Sequence, residues 1–402
     1  MVSSMKRPVR IGRVVGLLGV LALAPLVHPC TIAAISGKYT KDGRPLLWKN
    51  RDVAIQDNLV RFFAGKKYSF VGIIETGDAD SVYAGMNSEG FAIINAASLD
   101  LEGTAGSENG IFMKRALEEC ATVAEFENLL LVTNGLGRKT QANFGVMDAQ
   151  GGCAILETGN SSFTRFDAVS APQGFIVRTN FALTGVKPEE GGGFVRFNRA
   201  HELLQSAASG NDIDYRFVLR TCARDLVNES VNPYPLPFEG SQNGHPRGYL
   251  YTNNSINRYL TASGTVIQGV LLGEDPRLST MWCILGEPVC GVALPLWARA
   301  QSVPYVLGGA ATSLLRDAVK YIEGECYTDS TSDRYLDSFK LVNEKGRGIL
   351  PFVERLEALI FQAAEAVLSD WRKTPPGQDR VRVFQDQLSA WTYHQYISRL
   401  HF

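Results

Sequence analysis

Histidine is scarce in this chain, with five in all, and one of them, His28, lies near the N-terminus. Neither a CxxC pair nor an HExxH segment occurs. Together these gaps argue against a structural zinc site and against a zincin-type metalloprotease. The sequence also has no GxSxG, which removes the usual serine-hydrolase elbow. Gly135-Leu136-Gly137 lacks the third glycine that a dinucleotide-binding turn needs. The CGxCW surroundings of a papain-like thiol protease are missing, and no histidine stands out as a partner for a cysteine. There is no basic run interleaved with aromatics, so a nucleic-acid partner is not expected. Tandem repeats and low-complexity tracts are absent too.

What remains is the composition of a globular protein: 402 residues, 45% hydrophobic and 20% charged, with mean hydropathy near zero. The N-terminus is different. Lys6, Arg7, Arg10 and Arg13 precede an uncharged, mostly apolar run from Val14 to Val27. A basic start followed by a short hydrophobic stretch has the layout of a secretory leader, and the run is short for a membrane span. Residues 1–29 are therefore expected to be removed on maturation, which places the protein in the periplasm or outside the cell. A retained N-terminal membrane anchor is the competing reading. Losing the leader's four cations takes the formal charge from −1 to −5. Seven cysteines are present: Cys30, Cys120, Cys153, Cys222, Cys283, Cys290 and Cys326. Export would permit disulfides among them, in pairings the sequence leaves open.

Between Cys30 and Asp52 the spacing predicts a hairpin turning at Thr40–Gly43, where Asp-Gly supplies positive-φ positions. Further hairpins are predicted at Val82–Ser98 and Asn143–Thr158, with strands at Gly174–Leu183 and Ser279–Pro288. Apolar residues at three- and four-residue spacing predict helices at Met113–Leu131, Phe194–Ala208 and Tyr215–Val227. Hairpins and helices without regular alternation suggest an α+β fold, with helices covering antiparallel sheets. Residues 30–301 are expected to form this domain. Residues 302–402 read as a helical C-terminal extension, with helices near Tyr305–Ile322, Pro351–Trp371 and Asp379–Leu400; an independent helical domain is the alternative.

Cys30 opens the first strand directly after the leader. It reads as a buried strand residue or disulfide half, as a lipid acceptor, or as the mature N-terminus of an enzyme. His28 and Pro29 suit neither a lipoprotein peptidase nor an ordinary signal peptidase. This points to self-cleavage at Pro29–Cys30 by the thiol. A free thiol is only a few per cent thiolate at neutral pH and needs a base or a cation. Its own α-amine, with a reference pKa near 8, lies within reach once the chain begins there. Asp52 at the end of the partner strand can orient that amine, and Lys49 or Arg51 can supply the cation.

The run C-T-I…D-G-R-P-L-L-W-K-N-R-D resembles the opening of the choloylglycine hydrolase, penicillin V acylase and isopenicillin N acyltransferase group of N-terminal-nucleophile hydrolases. G-M-N-S-E-G-F-A-I-I-N (Gly85–Asn95), R-T-N-F (Arg178–Phe181) and F-V-R-F (Phe194–Phe197) are similar to later elements of that group. The resemblance implies a four-layer αββα sandwich and cleavage of linear amide C–N bonds through an acyl-Cys30 thioester, without metal or organic cofactor. It further implies that Asp52 bonds the nucleophile's amine and that Asn180 and Asn95 donate to the oxyanion. Arg196 would be an active-site cation. Lys49 falls where the group has arginine, a departure that keeps the charge and loses the planar fork. The implied partner is a small amide such as a bile-salt conjugate, an N-acyl amino acid or a penicillin. An acyltransferase with the same nucleophile and a lipidated binding protein anchored through Cys30 stand as alternatives. Homo-oligomerisation is left open.

Overall fold

The computed structural model describes residues 29–104, 108–309, 311–328 and 334–399. Apart from Pro29, the expected leader lies outside the described residues. One six-stranded antiparallel sheet runs in the order β10-β1-β2-β12-β13-β14. It comprises β1 (Cys30–Ile35), β2 (Leu46–Asp52), β10 (Phe175–Arg178), β12 (Thr261–Gln268), β13 (Thr280–Leu285) and β14 (Leu294–Leu296). A seven-stranded sheet runs in sequence order through β3 (Asn58–Phe63), β4 (Phe70–Glu75), β5 (Ala84–Asn87), β6 (Ala92–Ala97), β7 (Ala142–Met147), β8 (Cys153–Thr158) and β9 (Phe163–Asp167). A small ribbon pairs β11 (Tyr249–Tyr251) with β15 (Tyr335–Asp337).

The two sheets pack face to face, with β1 and β2 lying over β6, β7 and β8. Ile32, Leu47, Ile94 and Ile155 are among the side chains buried between them. Outside the larger sheet lie α1 (Asn109–Glu119) and α2 (Val123–Asn134). Phe126 fills the centre of that layer, edge-on to Phe144 at 5.9 Å and to Phe112 at 6.1 Å. Outside the smaller sheet lie α3 (Phe194–Ser209) and the C-terminal helices α4 (Leu314–Cys326), α5 (Ile349–Trp371) and α6 (Gln378–Ser398). The result is an αββα sandwich with a helical C-terminal region. That region is docked by α4 on β13 and α6 on β14. Tyr215 stacks on Trp282 at 4.5 Å, and Phe361 of α5 closes edge-on at 5.1 Å. Beneath α5, Arg224 and Glu357 form a fully buried fork–fork pair at 2.7 and 3.0 Å, and Glu357 also accepts the Ala293 N–H.

Several predicted elements are corrected. Met113–Leu131 is two helices, because Thr122 accepts the Glu125 N–H and caps a new start, while Asn87 captures the Cys120 carbonyl. The helix expected at Tyr215–Val227 stops at Cys222; Asn50 takes the Ala223 carbonyl and the Asn257 N–H takes that of Asp225. The helix expected from Tyr305 begins at Leu314, capped by Ser313. All seven cysteines are buried free thiols. No helix among the described residues is long and apolar enough to cross a membrane.

One buried acid between β13 and α4 has a consequence for stability. Glu287 accepts from Asn257 and from the Tyr327 hydroxyl, both at 2.6 Å. Burial, and then the neighbouring Glu323, push its carboxyl up to about 8 from 4.5. The folded state thus binds a proton that the unfolded chain releases above its ordinary value, so stability is lost as pH rises through that window. We expect the melting temperature to fall between pH 5 and about 8, and Glu287→Gln to flatten the dependence; an unchanged slope in the variant would refute the assignment.

Candidate active site

In the β1–β2 pair, Cys30 lies opposite Arg51 and Ile32 opposite Lys49. Cross-strand partners project to one side, so Cys30, Arg51 and Lys49 share the face toward the larger sheet, while Asn50 and Asp52 belong to the other. Each has a different set of partners. The Lys49 ammonium donates to the Tyr83 carbonyl at 2.8 Å and to Asn95 Oδ1 at 2.7 Å. Arg51 donates to Asn58 Oδ1 at 3.0 Å, pairs with Glu75, and lies 3.9 Å from the centre of the Tyr83 ring. Asn50 donates to the carbonyls of Ala223 and Ile256. Asp52 accepts from Arg258 Nε at 2.8 Å and from Thr261 Oγ1 at 2.7 Å, and Arg258 Nη2 stands in ion-pair contact with it at 2.7 Å.

Cys30 is buried, with its amide nitrogen 2.8 Å from Asn180 Oδ1. The Asn180 amide nitrogen donates to the Ala97 carbonyl at 2.9 Å. Arg196 reaches down from the first turn of α3. It donates to Asn180 Oδ1 at 2.9 Å, to Thr31 Oγ1 at 3.0 Å and to the Cys30 carbonyl. Gly193 makes room for this. It starts α3 at φ +85°, and a Cβ there would stand 2.4 Å from Arg196 Nη2.

Two cations in this cluster are weakened. Burial, reinforced by Arg258 and opposed by Asp52 and Cys30, brings Arg196 down to about 10. Burial likewise brings Lys49 down to about 8, with Cys30 and Asp52 acting against it and Arg51 with it. The charge of Arg51 is neutralised by Glu75, whereas both acceptors of Lys49 are uncharged.

All seven residues expected from the sequence are therefore drawn to one end of the sandwich. Their contacts differ from expectation at one place. With the Pro29–Cys30 peptide intact, the Cys30 nitrogen is held by Asn180, and the Asp52 carboxylate faces Arg258 and Thr261. Sequence reasoning missed Arg258. It lies in a stretch assigned no element, ahead of β12, whose residues TASGTVIQ are wholly buried yet mostly small or polar. The buried arginine opposite Asp52 could not be read without the sheet order that places β12 beside β2.

Residues 39–207 match the family model described as acyl-coenzyme A:6-aminopenicillanic acid acyl-transferase. The match begins just downstream of Cys30 and spans Lys49, Arg51, Asp52, Asn95, Asn180 and Arg196. Among solved structures, a mutant conjugated bile acid hydrolase from Clostridium perfringens aligns at 13% identity, over 64% of this chain and 89% of its own, with a TM-score of 0.39. An N-acylethanolamine-hydrolyzing acid amidase ortholog from Caenorhabditis elegans aligns at 16% identity, over 59% and 92%, with a TM-score of 0.38. A penicillin V acylase from Agrobacterium tumefaciens aligns at 15% identity, over 67% and 86%, with a TM-score of 0.38. No curated protein sequence matches the chain.

Replacing Arg258 with Met would leave Asp52 buried with Thr261 as its remaining donor. Breaking a buried pair from one side costs about 3–5 kcal/mol. Urea unfolding of Arg258→Met should show a loss of that order, and a change below about 1 kcal/mol would mean that Asp52 is not held as a buried carboxylate.

Proposed function

We propose that this chain, whose residues 39–207 match the family model described as acyl-coenzyme A:6-aminopenicillanic acid acyl-transferase, is an exported cysteine hydrolase of linear amides of the N-terminal-nucleophile kind. The supporting observation is the convergence on Cys30: a strand-opening thiol whose nitrogen and carbonyl are gripped by Asn180 and Arg196, with Lys49 on its own face of the sheet. Once the Pro29–Cys30 bond is cut, the freed α-amine accepts the thiol proton. The thiolate then adds to the substrate carbonyl, forming a carbon–sulfur bond as negative charge moves to oxygen. Asn180 and Asn95 are the side chains offered as amide donors to that oxygen, a contribution of about 3–4 kcal/mol per well-placed donor. Collapse expels the amine, which takes the proton held by the α-amine. Water, deprotonated by the same amine, releases the acyl group from sulfur. If an amine acceptor takes the place of water, the product is a new amide, an outcome the matched family's name favours.

The intact mass and N-terminal residue of the exported protein, wild type beside Cys30→Ala, test this directly. The wild type should begin at an unmodified Cys30 and the variant should retain upstream residues. Wild-type protein, and not the variant, should cleave one or more of penicillin V, a glycine-conjugated bile salt, an N-acyl amino acid and a fatty-acyl amide. A lipid on Cys30 would replace this reading with an anchored binding protein.

The pH dependence tests Lys49. Its ammonium discharges above about 8, so the cation that favours the Cys30 thiolate is lost on the alkaline side. Alkylation of Cys30 by iodoacetamide at neutral pH should be several-fold slower in Lys49→Met than in the wild type. Lys49→Arg should keep the wild-type alkylation rate and extend activity to higher pH; identical profiles in all three proteins would exclude Lys49 from the reaction.

A further inference from the structure

Asn180 takes part in every contact to the Cys30 nitrogen described above, yet it sits on a loop just past the end of β10 and outside the ladder of either sheet. Its orientation must come from elsewhere. Asn143, near the start of β7 and fully buried, donates through one amide group to two carbonyls: Thr179 at 3.0 Å and Phe181 at 2.9 Å. These are the residues on either side of Asn180. With two carbonyls as partners, only the NH₂ end of the Asn143 amide can face the loop, so the orientation of this side chain is fixed by chemistry. The carbonyl of Asn180 itself accepts the Gly192 N–H at 2.9 Å. Three consecutive carbonyls are thus held, and the peptide planes bracketing Asn180 cannot rotate without leaving a buried group unsatisfied.

We propose that Asn143 is a positioning residue for the chemistry at Cys30, fixing through the backbone the direction in which Asn180 presents its amide. The inference rests on the Cys30 acyl-transfer reading. It differs from a packing role in one respect: its effect must pass through Asn180.

A double-mutant cycle separates the two, using the full-length chain and whichever amide of the panel above is turned over. Asn143→Ala should lower kcat by roughly 10- to 100-fold, with KM changed less than about threefold. In the Asn180→Ala background the same substitution should change kcat by less than about twofold, because the group it orients is gone. Equal losses in both backgrounds would mean that Asn143 only supports the fold, and an unaltered kcat in Asn143→Ala would overturn the proposal outright. Should Asn143→Ala fold poorly, the near-isosteric Asn143→Asp carries the same cycle. Cys30→Ala run alongside keeps the two ideas apart. If turnover survives in that variant, the acyl-Cys30 reading falls and the positioning proposal with it; if turnover requires Cys30 and the cycle is additive, the positioning proposal falls alone.

Discussion

Four consecutive polar residues end the central strand of the smaller sheet, and Lys49, Asn50, Arg51 and Asp52 are each nearly or wholly out of water. A buried polar group without partners costs a good part of the stability of an ordinary domain, and a buried charge costs more. Much of the surrounding structure answers this demand. The larger sheet brings Tyr83 and Asn95 to Lys49, and Asn58 with Glu75 to Arg51. The layer outside the smaller sheet brings the Ala223 carbonyl to Asn50. The approach to β12 brings the Ile256 carbonyl to Asn50, and Arg258 with Thr261 to Asp52. The strand can sit in the middle of a sandwich only because both sheets and an outer layer converge on its end.

That convergence divides the charges. Arg51 and Asp52 have partners of opposite sign and are locked in place by them. Lys49 has neutral acceptors alone in its hydrogen bonds and is left with a charge that burial weakens. Two neighbouring cations on one face of one strand thereby acquire different characters, one structural and one adjustable by pH. Arginine at position 49 would have stayed charged throughout; lysine makes the local field depend on the medium.

Much of the candidate site was legible in the sequence because its signals are local. The hairpins at 30–52, 84–97 and 142–158 announce themselves by turn residues between apolar runs, and they carry Lys49, Asp52 and Asn95. Asn180 was marked by the R-T-N-F run, although the strand expected over Gly174–Leu183 ends at Arg178 and leaves Asn180 in the loop that follows. What stayed hidden depends on contacts between distant segments. Arg258 acquires meaning only beside Asp52, and Asn143 only beneath the loop it grips. The helix boundaries failed for a similar reason. Captured carbonyls at Cys120, Ala223 and Asp225 end helices where periodicity alone would have continued them.

The buried fork between Arg224 and Glu357 bears on how this chain could have grown. Glu357 belongs to the C-terminal helices, whereas Arg224 belongs to the sandwich, whose outer face around Trp282 those helices cover. A sandwich stripped of them would expose a broad apolar surface and an arginine shaped for a carboxylate no longer present. The two parts can no longer be exchanged independently. A recombination event that supplied a different tail would have to bring an acid to the same place, along with a ring to meet Tyr215 and Trp282. The tail is therefore bound into the sandwich rather than appended to it, and a change on its buried side would be felt in both parts.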